Sequence, residues 1–503
     1  MPWWWLVACV VRSRPPTEVL AAPPTGATDA TTATPVIAVP TPPAPPPPDL
    51  VDVAVPREFR GLWVATVSNL DFPSRTGLSA DQARAELVTL AQTAHDRGFN
   101  ALVFQVRPEA DAVYASTLEP WSRFLTGHQG GDPGFDPLAV LIEEAHSLGI
   151  EVHAWFNPYR AAIDRGATTA DGHVSRWAGD AVCAWGALAW MDPGAEALRA
   201  HTLKVIDDVV GRYAIDGVHL DDYFYPYPID GKTFPDGPRY TAYCDGGGAL
   251  DRAAWRRQNV DLLVEAIARE VAATRPDCRF GISPFGIYRP GQPAGIRGMD
   301  QVTALNADPL RWYREDWVDY LAPQLYWPTT KEAQRYDRLL GWWNDQVTED
   351  RPLLVGLDVT KVGHDPAWTL DEVRAQVTLS RAAARTAGQI WFRATPVLTN
   401  QAGLGDLLAE LYASPALPPP TPGLDAVAAP VSVRVEPGRV AIDDPDPTST
   451  RAYVLYRAAG DAPVVDRIVP PREAAFALQP GVWAVSAVRA GAIESRALRF
   501  TVR

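Results

Sequence analysis

The chain has 503 residues, 47% of them hydrophobic and 21% charged, enough for two or three soluble domains. A net charge of -14 argues against a nucleic-acid or anionic-membrane partner, since phosphate binding needs a basic face. No long apolar run follows the first few residues, so no internal membrane span is expected. The 4 cysteines are too few for a disulfide scaffold. None of them sits at C-x2-C spacing, and no metal or cofactor is expected. Cys183 and Cys244 fall in loop-like stretches and could pair. The 18 tryptophans fit either a large packed core or stacking platforms for sugar rings.

The chain opens MPWWWLVACVV. Leu6-Val7-Ala8-Cys9 resembles a bacterial lipobox, in which the cysteine is acylated and heads the mature protein. Residues 1–9 are therefore expected to be an export signal with lipidation at Cys9. Residues 10–56, rich in Pro, Ala and Thr and including Pro45 to Pro48, cannot bury enough apolar surface to fold and read as an extended tether. Together these predict an exported lipoprotein of the cell envelope that touches the membrane only through its anchor.

From residue 57 to 413, short apolar runs alternate with amphipathic stretches. The expected strands are Arg60–Val67, Ala101–Arg107, Glu151–Asn157, Gly217–Asp222, Arg279–Phe285, Tyr320–Trp327, Leu353–Val359 and Gln389–Ala394. Between the first two lies a helix opened by Ser79 and closed by Gly98; another is opened by Asp136-Pro137 and closed by Gly149. Eight such units predict an α/β fold, a (β/α)8 TIM barrel, rather than an open doubly wound sheet, because no Gly-rich phosphate loop follows any strand.

A barrel places its chemistry at the C-terminal ends of its strands. In the fourth, Val218 and Leu220 suit the layer under the helices, which turns His219 and Asp221 inward. Asp222 then begins a loop walled by Tyr223, Phe224, Tyr225 and Tyr227. Asp221 reads as the site carboxylate, although either aspartate could instead cap a helix or pair with an arginine. After the second strand stand Arg107, able to hold a carboxylate, and the acids Glu109 and Asp111. By alternation His153, Trp155 and Asn157 share a face, and the sixth strand supplies Gln324, Tyr326 and Trp327. The seventh supplies Asp358, which equally fits a loop or cap, and the eighth Arg393. Carboxylates, amides and aromatic rings with few cations suit glycosidic bond cleavage, which needs one acid for the leaving oxygen and one carboxylate to attack or to activate water. The rival readings are a non-catalytic glycan-binding envelope protein and a hydrolase of another exported polysaccharide.

The segments REFRGLWVATVSNLDFPS, QVRPEADAVYAS, EPWSRFLTG, FDPLAVLIEEAHSLGIEVHAWFNPYR and DGVHLDDYFYP together resemble the glycosyl hydrolase-like family 10 proteins of bacteria, over about Phe59 to Tyr412. The resemblance implies a glycoside hydrolase barrel and a cell-envelope polysaccharide substrate, with the glycan strand of peptidoglycan foremost. The run Asp216 to Asp221 also looks like the nucleophile segment of α-amylase-type barrels, which implies Asp221 as nucleophile, although His219 stands where those enzymes carry Arg. It resembles the chitinase motif only loosely, because Tyr223 stands where that motif has Glu. The family's loop after the second strand matches Arg107, Asp111, Ala112 and Tyr114, which favours Asp111 over Glu109. The general acid stays open among Asp222, Asp111 and Asp358.

Residues 414–430 read as a second Pro-rich linker. Residues 431–503, with short alternating strands and Gly, Pro and Asp turns, read as a small β-sandwich that resembles a fibronectin type III module, with Trp483 in its core.

Overall fold

The computed structural model describes residues 49–503 apart from 425–427, 429, 437–438 and 460–461. The expected signal, Cys9 and the tether up to residue 48 lie outside the described residues.

Eight parallel strands form the barrel: β1 (Phe59–Val64), β2 (Ala101–Arg107), β3 (Glu151–Phe156), β4 (Gly217–Leu220), β5 (Arg279–Ile282), β6 (Tyr320–Leu321), β7 (Leu353–Asp358) and β8 (Thr386–Phe392). Their order in the sheet is β6-β5-β4-β3-β2-β1-β8-β7, so every hydrogen-bonded neighbour in it is also adjacent in sequence or joins β8 to β1. Between β6 and β7 the ring is joined by a parallel bridge from Gln324 to Gly356. There the Gly356 amide donates to the Pro323 carbonyl at 3.0 Å, and the Leu325 amide to the Gly356 carbonyl at 2.9 Å. β6 is far shorter than the expected Tyr320–Trp327 because Pro323 has no N–H to give the ladder. β4 ends at Leu220, so Asp221 and Asp222 stand just past its last paired residue.

Period-two alternation separates two apolar layers. Leu62, Leu102, Ala154, Val218, Leu220 and Ile282 pack outward under the helices, whereas Phe59, Trp63, Val103, Trp155, Tyr320 and Ile390 fill the cylinder. The expected helix signals operate as read. Ser79 caps Ala80–Asp96 in a capping box with Gln82, and Asp136 caps Pro137–Ser147. Between β3 and the helix Glu196–Arg212 the chain makes a small antiparallel sheet of Arg160–Ala162, Val182–Trp185 and Leu188–Met191, which the sequence did not announce. Cys183, buried in that sheet, and Cys244, exposed on the helix Gly237–Asp245, are both free thiols, so the pairing considered from sequence is not formed.

The C-terminal region is all-β. Its larger sheet includes Thr450–Ala459, Ala462–Val469, Gly481–Arg489 and Ala497–Val502, and a three-stranded sheet holds Ser432–Glu436, Arg439–Asp443 and Ala475–Phe476. Trp483 is buried between them, as expected. Leu50–Val51 joins the larger sheet antiparallel to Ala497–Val502, and Val55 is buried in its core. Residues 50–55, expected to lie in the tether, are thus part of the β-region.

The stretch expected as a linker is tied down. Leu417 exchanges backbone bonds with Pro56 and Glu58, and the Thr421 amide donates to the Gly491 carbonyl. The β-region docks on the N-terminal end of the barrel through a buried ion pair, Arg451 Nε to Asp216 Oδ1 at 2.7 Å. The other oxygen of Asp216 is held by His146 Nε2 at 2.7 Å and by the Val152 amide at 2.8 Å. Burial alone would raise the Asp216 carboxyl, but Arg451 and His146 outweigh it and hold it well below the usual carboxylate range.

Candidate active site

The barrel interior is polar at its centre, and a chain of hydrogen bonds satisfies it. The N–H of Trp63 lies 3.2 Å from His219 Nε2, and the hydroxyl of Ser283 lies 3.2 Å from the same nitrogen. Nε2 must accept both, so His219 carries its proton on Nδ1 and donates to the Tyr320 oxygen at 3.0 Å. The Tyr320 hydroxyl then donates to His153 Nδ1 at 3.1 Å, and His153 Nε2–H points to Glu151 at 3.2 Å. Arg279 closes the chain on Glu151. Burial, and His153 beside it, hold His219 well below the usual imidazole range, so it is neutral. Room for these rings comes from two glycines. A Cβ on Gly217 would lie 2.3 Å from the His153 ring, and one on Gly281 would lie 2.0 Å from the Tyr320 ring. His153 and His219 were expected to bind substrate. Both are fully buried, and neither lines the cavity at the C-terminal strand ends.

Above this layer, at the C-terminal strand ends, a cavity of about 350 Å3 opens. Asp221 and Asp222 form one wall, and Trp155, Tyr223, Gln324 and Tyr326 line it as expected. Asp221 is only 4% exposed and tightly aimed. Its Oδ2 accepts the Trp155 N–H at 3.0 Å and the Asn157 amide, and its Oδ1 accepts the Tyr223 amide at 3.2 Å. Asn157 is itself fixed, since its Oδ1 accepts from Gln105 at 2.6 Å and from Arg160 at 2.6 Å. Asp222 accepts from the Tyr227 hydroxyl and the Gln324 side chain. Burial, and the neighbouring Asp222, push Asp221 up to about 7 against the pull of Arg160 and its N–H donors. Burial raises Asp222 as well. The pair can thus hold a proton near neutral pH in a site walled by rings.

The remaining candidates lie elsewhere. Arg107 is fully buried in an ion pair with Glu119, with Nε to Oε2 at 2.8 Å, and His201 joins at 2.9 Å. Burial opposes ionisation of Glu119, yet Arg107 and His201 bring it down to about 2. Arg107 also donates to the carbonyls of Asn157 and Pro158, so it braces the β3 loop rather than meeting a ligand. Asp111 is buried against Gln129 and Glu109 and does not line the cavity. Asp358 caps its own loop by accepting from Thr360, 2.9 Å from the amide. Trp327 packs edge-on against Phe285, and Arg393 pairs with Asp71. Eight cavity residues were not candidates from sequence, four of them polar or indole-bearing: Trp63, Gln105, Ser283 and Arg160. Trp63 and Gln105 follow from alternation along β1 and β2. Arg160 lies past a strand end, where no periodicity marks it.

The glycosyl hydrolase-like 10 family matches residues 58–370, and the chain belongs to that family. Its fold and acidic, ring-walled cleft define a glycosidase. It is 40% identical over 389 residues to glycosyl hydrolase YngK of Bacillus subtilis (strain 168), covering 74% of this chain and 75% of the relative. It is 33% identical over 418 residues to glycosyl hydrolase DigH of Escherichia coli (strain K12), covering 77% of this chain and 90% of the relative. Among solved structures it is similar to the PgaB (BpsB) glycoside hydrolase domain from Bordetella bronchiseptica, at 14% identity and TM-score 0.47, covering 70% of this chain and 98% of that one.

Proposed function

We propose that this protein hydrolyses the glycan strands of peptidoglycan, with Asp221 and Asp222 as its reacting carboxyl groups. The observation that carries the reading is the carboxyl pair on one wall of a cleft that also holds the rings of Trp63, Trp155, Tyr223 and Tyr326, the kind of surface on which sugar faces stack. Arg160 favours this polysaccharide over neutral ones. Among the described residues it is the one basic side chain lining the cavity, and it lies over the Tyr223 ring at 5.4 Å. Muramic acid residues carry a lactyl group that ends in a free carboxylate once the stem peptide is gone, and a guanidinium is the natural partner for it. The reading thus points to strands stripped of peptide. Export, anchoring through Cys9 and a wall-facing fibronectin III-like module complete the proposal and put the cleft where its substrate is.

The test is product analysis by mass spectrometry on intact and peptide-stripped sacculi. Stripped sacculi should release reducing-end glycans, and Asp221→Asn should lower kcat by about 100- to 10,000-fold, the usual size of a proton-transfer contribution. Arg160→Gln should loosen Asn157 and lower kcat on any substrate, but should raise KM on stripped sacculi well beyond any change in KM on chitin oligosaccharides, which carry no lactyl group. Undiminished turnover by Asp221→Asn removes that residue from the chemistry.

A further inference from the structure

Building on the proposed hydrolysis, we infer that the group attacking the anomeric carbon is not a side chain of this protein but the 2-acetamido oxygen of the bound sugar. Asp222 holds the acetamido N–H, and Asp221 protonates the leaving oxygen.

The argument starts from where the carboxyls are. A double displacement by the enzyme needs a carboxylate facing the sugar from the side opposite the acid, and an inverting reaction needs a base there to activate water. Asp221 and Asp222 are consecutive residues at one strand end and reach the cavity from the same wall. The strands across the cavity, β1 and β8, offer Trp63 and Phe392, and the strands nearer to β4 offer Gln105 and Ser283; none of these is acidic. Among the described residues no other carboxyl lines the cavity. The nearby acids are engaged elsewhere: Asp71 with Arg393, Asp111 with Gln129 and Asp358 with Thr360. An attacking group is therefore missing from the protein's side of the reaction, and an N-acetylated sugar brings one.

The two aspartates differ in a way that divides the remaining work. Oδ2 of Asp221 takes two N–H donors, from Trp155 and Asn157, whereas Oδ1 takes only the Tyr223 amide at 3.2 Å, so Oδ1 is the oxygen with room to carry a proton. The upward push on Asp221 to about 7 keeps that proton in place near neutrality. Asp222 receives the Tyr227 hydroxyl and the Gln324 amide and stays an acceptor for an amide N–H. The Trp155 ring lines the cavity beside Asp221 and offers an apolar surface for the acetamido methyl.

In the first step the acetamido carbonyl oxygen bonds to C1 as the bond from C1 to the leaving oxygen breaks. The Asp221 proton passes to that oxygen, giving an oxazolinium ring whose N–H rests on Asp222. In the second step water gives a proton to Asp221 and bonds to C1 as the ring oxygen departs. The acetamido group, the protonated Asp221 and the anomeric configuration are all restored.

The experiment uses the whole protein with two probes, peptide-stripped glycan strands and the same strands chemically N-deacetylated. A third probe, N-acetylglucosamine thiazoline, mimics the bicyclic intermediate and reports binding by calorimetry without turnover. Support consists of two results together. Deacetylated strands must lose at least about 100-fold in kcat, and the thiazoline must bind the wild type and lose affinity at least about 10-fold in Asp222→Asn. A deacetylated strand cut at a comparable kcat, or a thiazoline that does not bind the wild type, overturns the inference while leaving the glycosidase reading intact. Failure to cut either strand overturns both.

Discussion

Replacing Arg451 by Met should loosen the base of the strand that carries Asp221. Asp216 immediately precedes β4, is almost wholly buried, and holds Arg451 across the junction between the barrel and the β-region. Removing one member of a buried pair leaves the other charge uncompensated, at a cost of about 3–5 kcal/mol. His146 and the Val152 amide remain on Asp216, so the lower end of that range, about 3 kcal/mol, is expected. With a shift of about 2 °C per kcal/mol for a large folding unit, Tm should fall by about 6 °C in calorimetry. Asp216→Asn should also destabilise, and the double variant should lose less than the sum of the singles, because each single change removes the same interaction. The folded carboxyl titrates below its unfolded value, so its contribution is present above the unfolded pKa and disappears as pH falls through the folded one. The gap in Tm between wild type and Arg451→Met should therefore narrow on acidification below about pH 4. A gap under about 1 °C at neutral pH, or additive losses in the double variant, would refute the clasp.

Two further outcomes follow from the barrel interior. The rate should decline as pH rises past about 7, where Asp221 loses its proton, and Trp155→Phe, which deletes an N–H that favours the ionised form, should move that decline to higher pH. A kcat/KM profile from pH 5 to 9 reads both. Gly217→Ala would place a Cβ 2.3 Å from the His153 ring and should cost about 1–3 kcal/mol by overpacking, read as a lowered urea midpoint.

The eight strands, their inward and outward faces, and Asp221 at the end of the fourth were all legible in the sequence. Alternation along a strand is a local property, and a short apolar run with a carboxylate at its end carries that information by itself. Helix boundaries at Ser79 and Asp136 were equally local, each set by one side chain and one amide. Alternation gives the face of a residue but not its height in the cylinder or its partners across it. His153 and Asn157 share a face of one strand, yet one is buried against Tyr320 while the other aims Asp221. Arg107 and Asp111 stood in a promising motif, and Glu119 and Gln129, brought in by the following loop, turned both away from the cavity. Arg160 entered it only because the chain after β3 folds back on Tyr223. Asp216 reads as the opening residue of a catalytic run, and tertiary contact with Arg451, distant in sequence, makes it a docking point instead. The sequence determined which residues face the axis, because that depends on neighbours along the chain. The tertiary structure decided which of them meet, because that depends on strand register and on side chains arriving from remote segments.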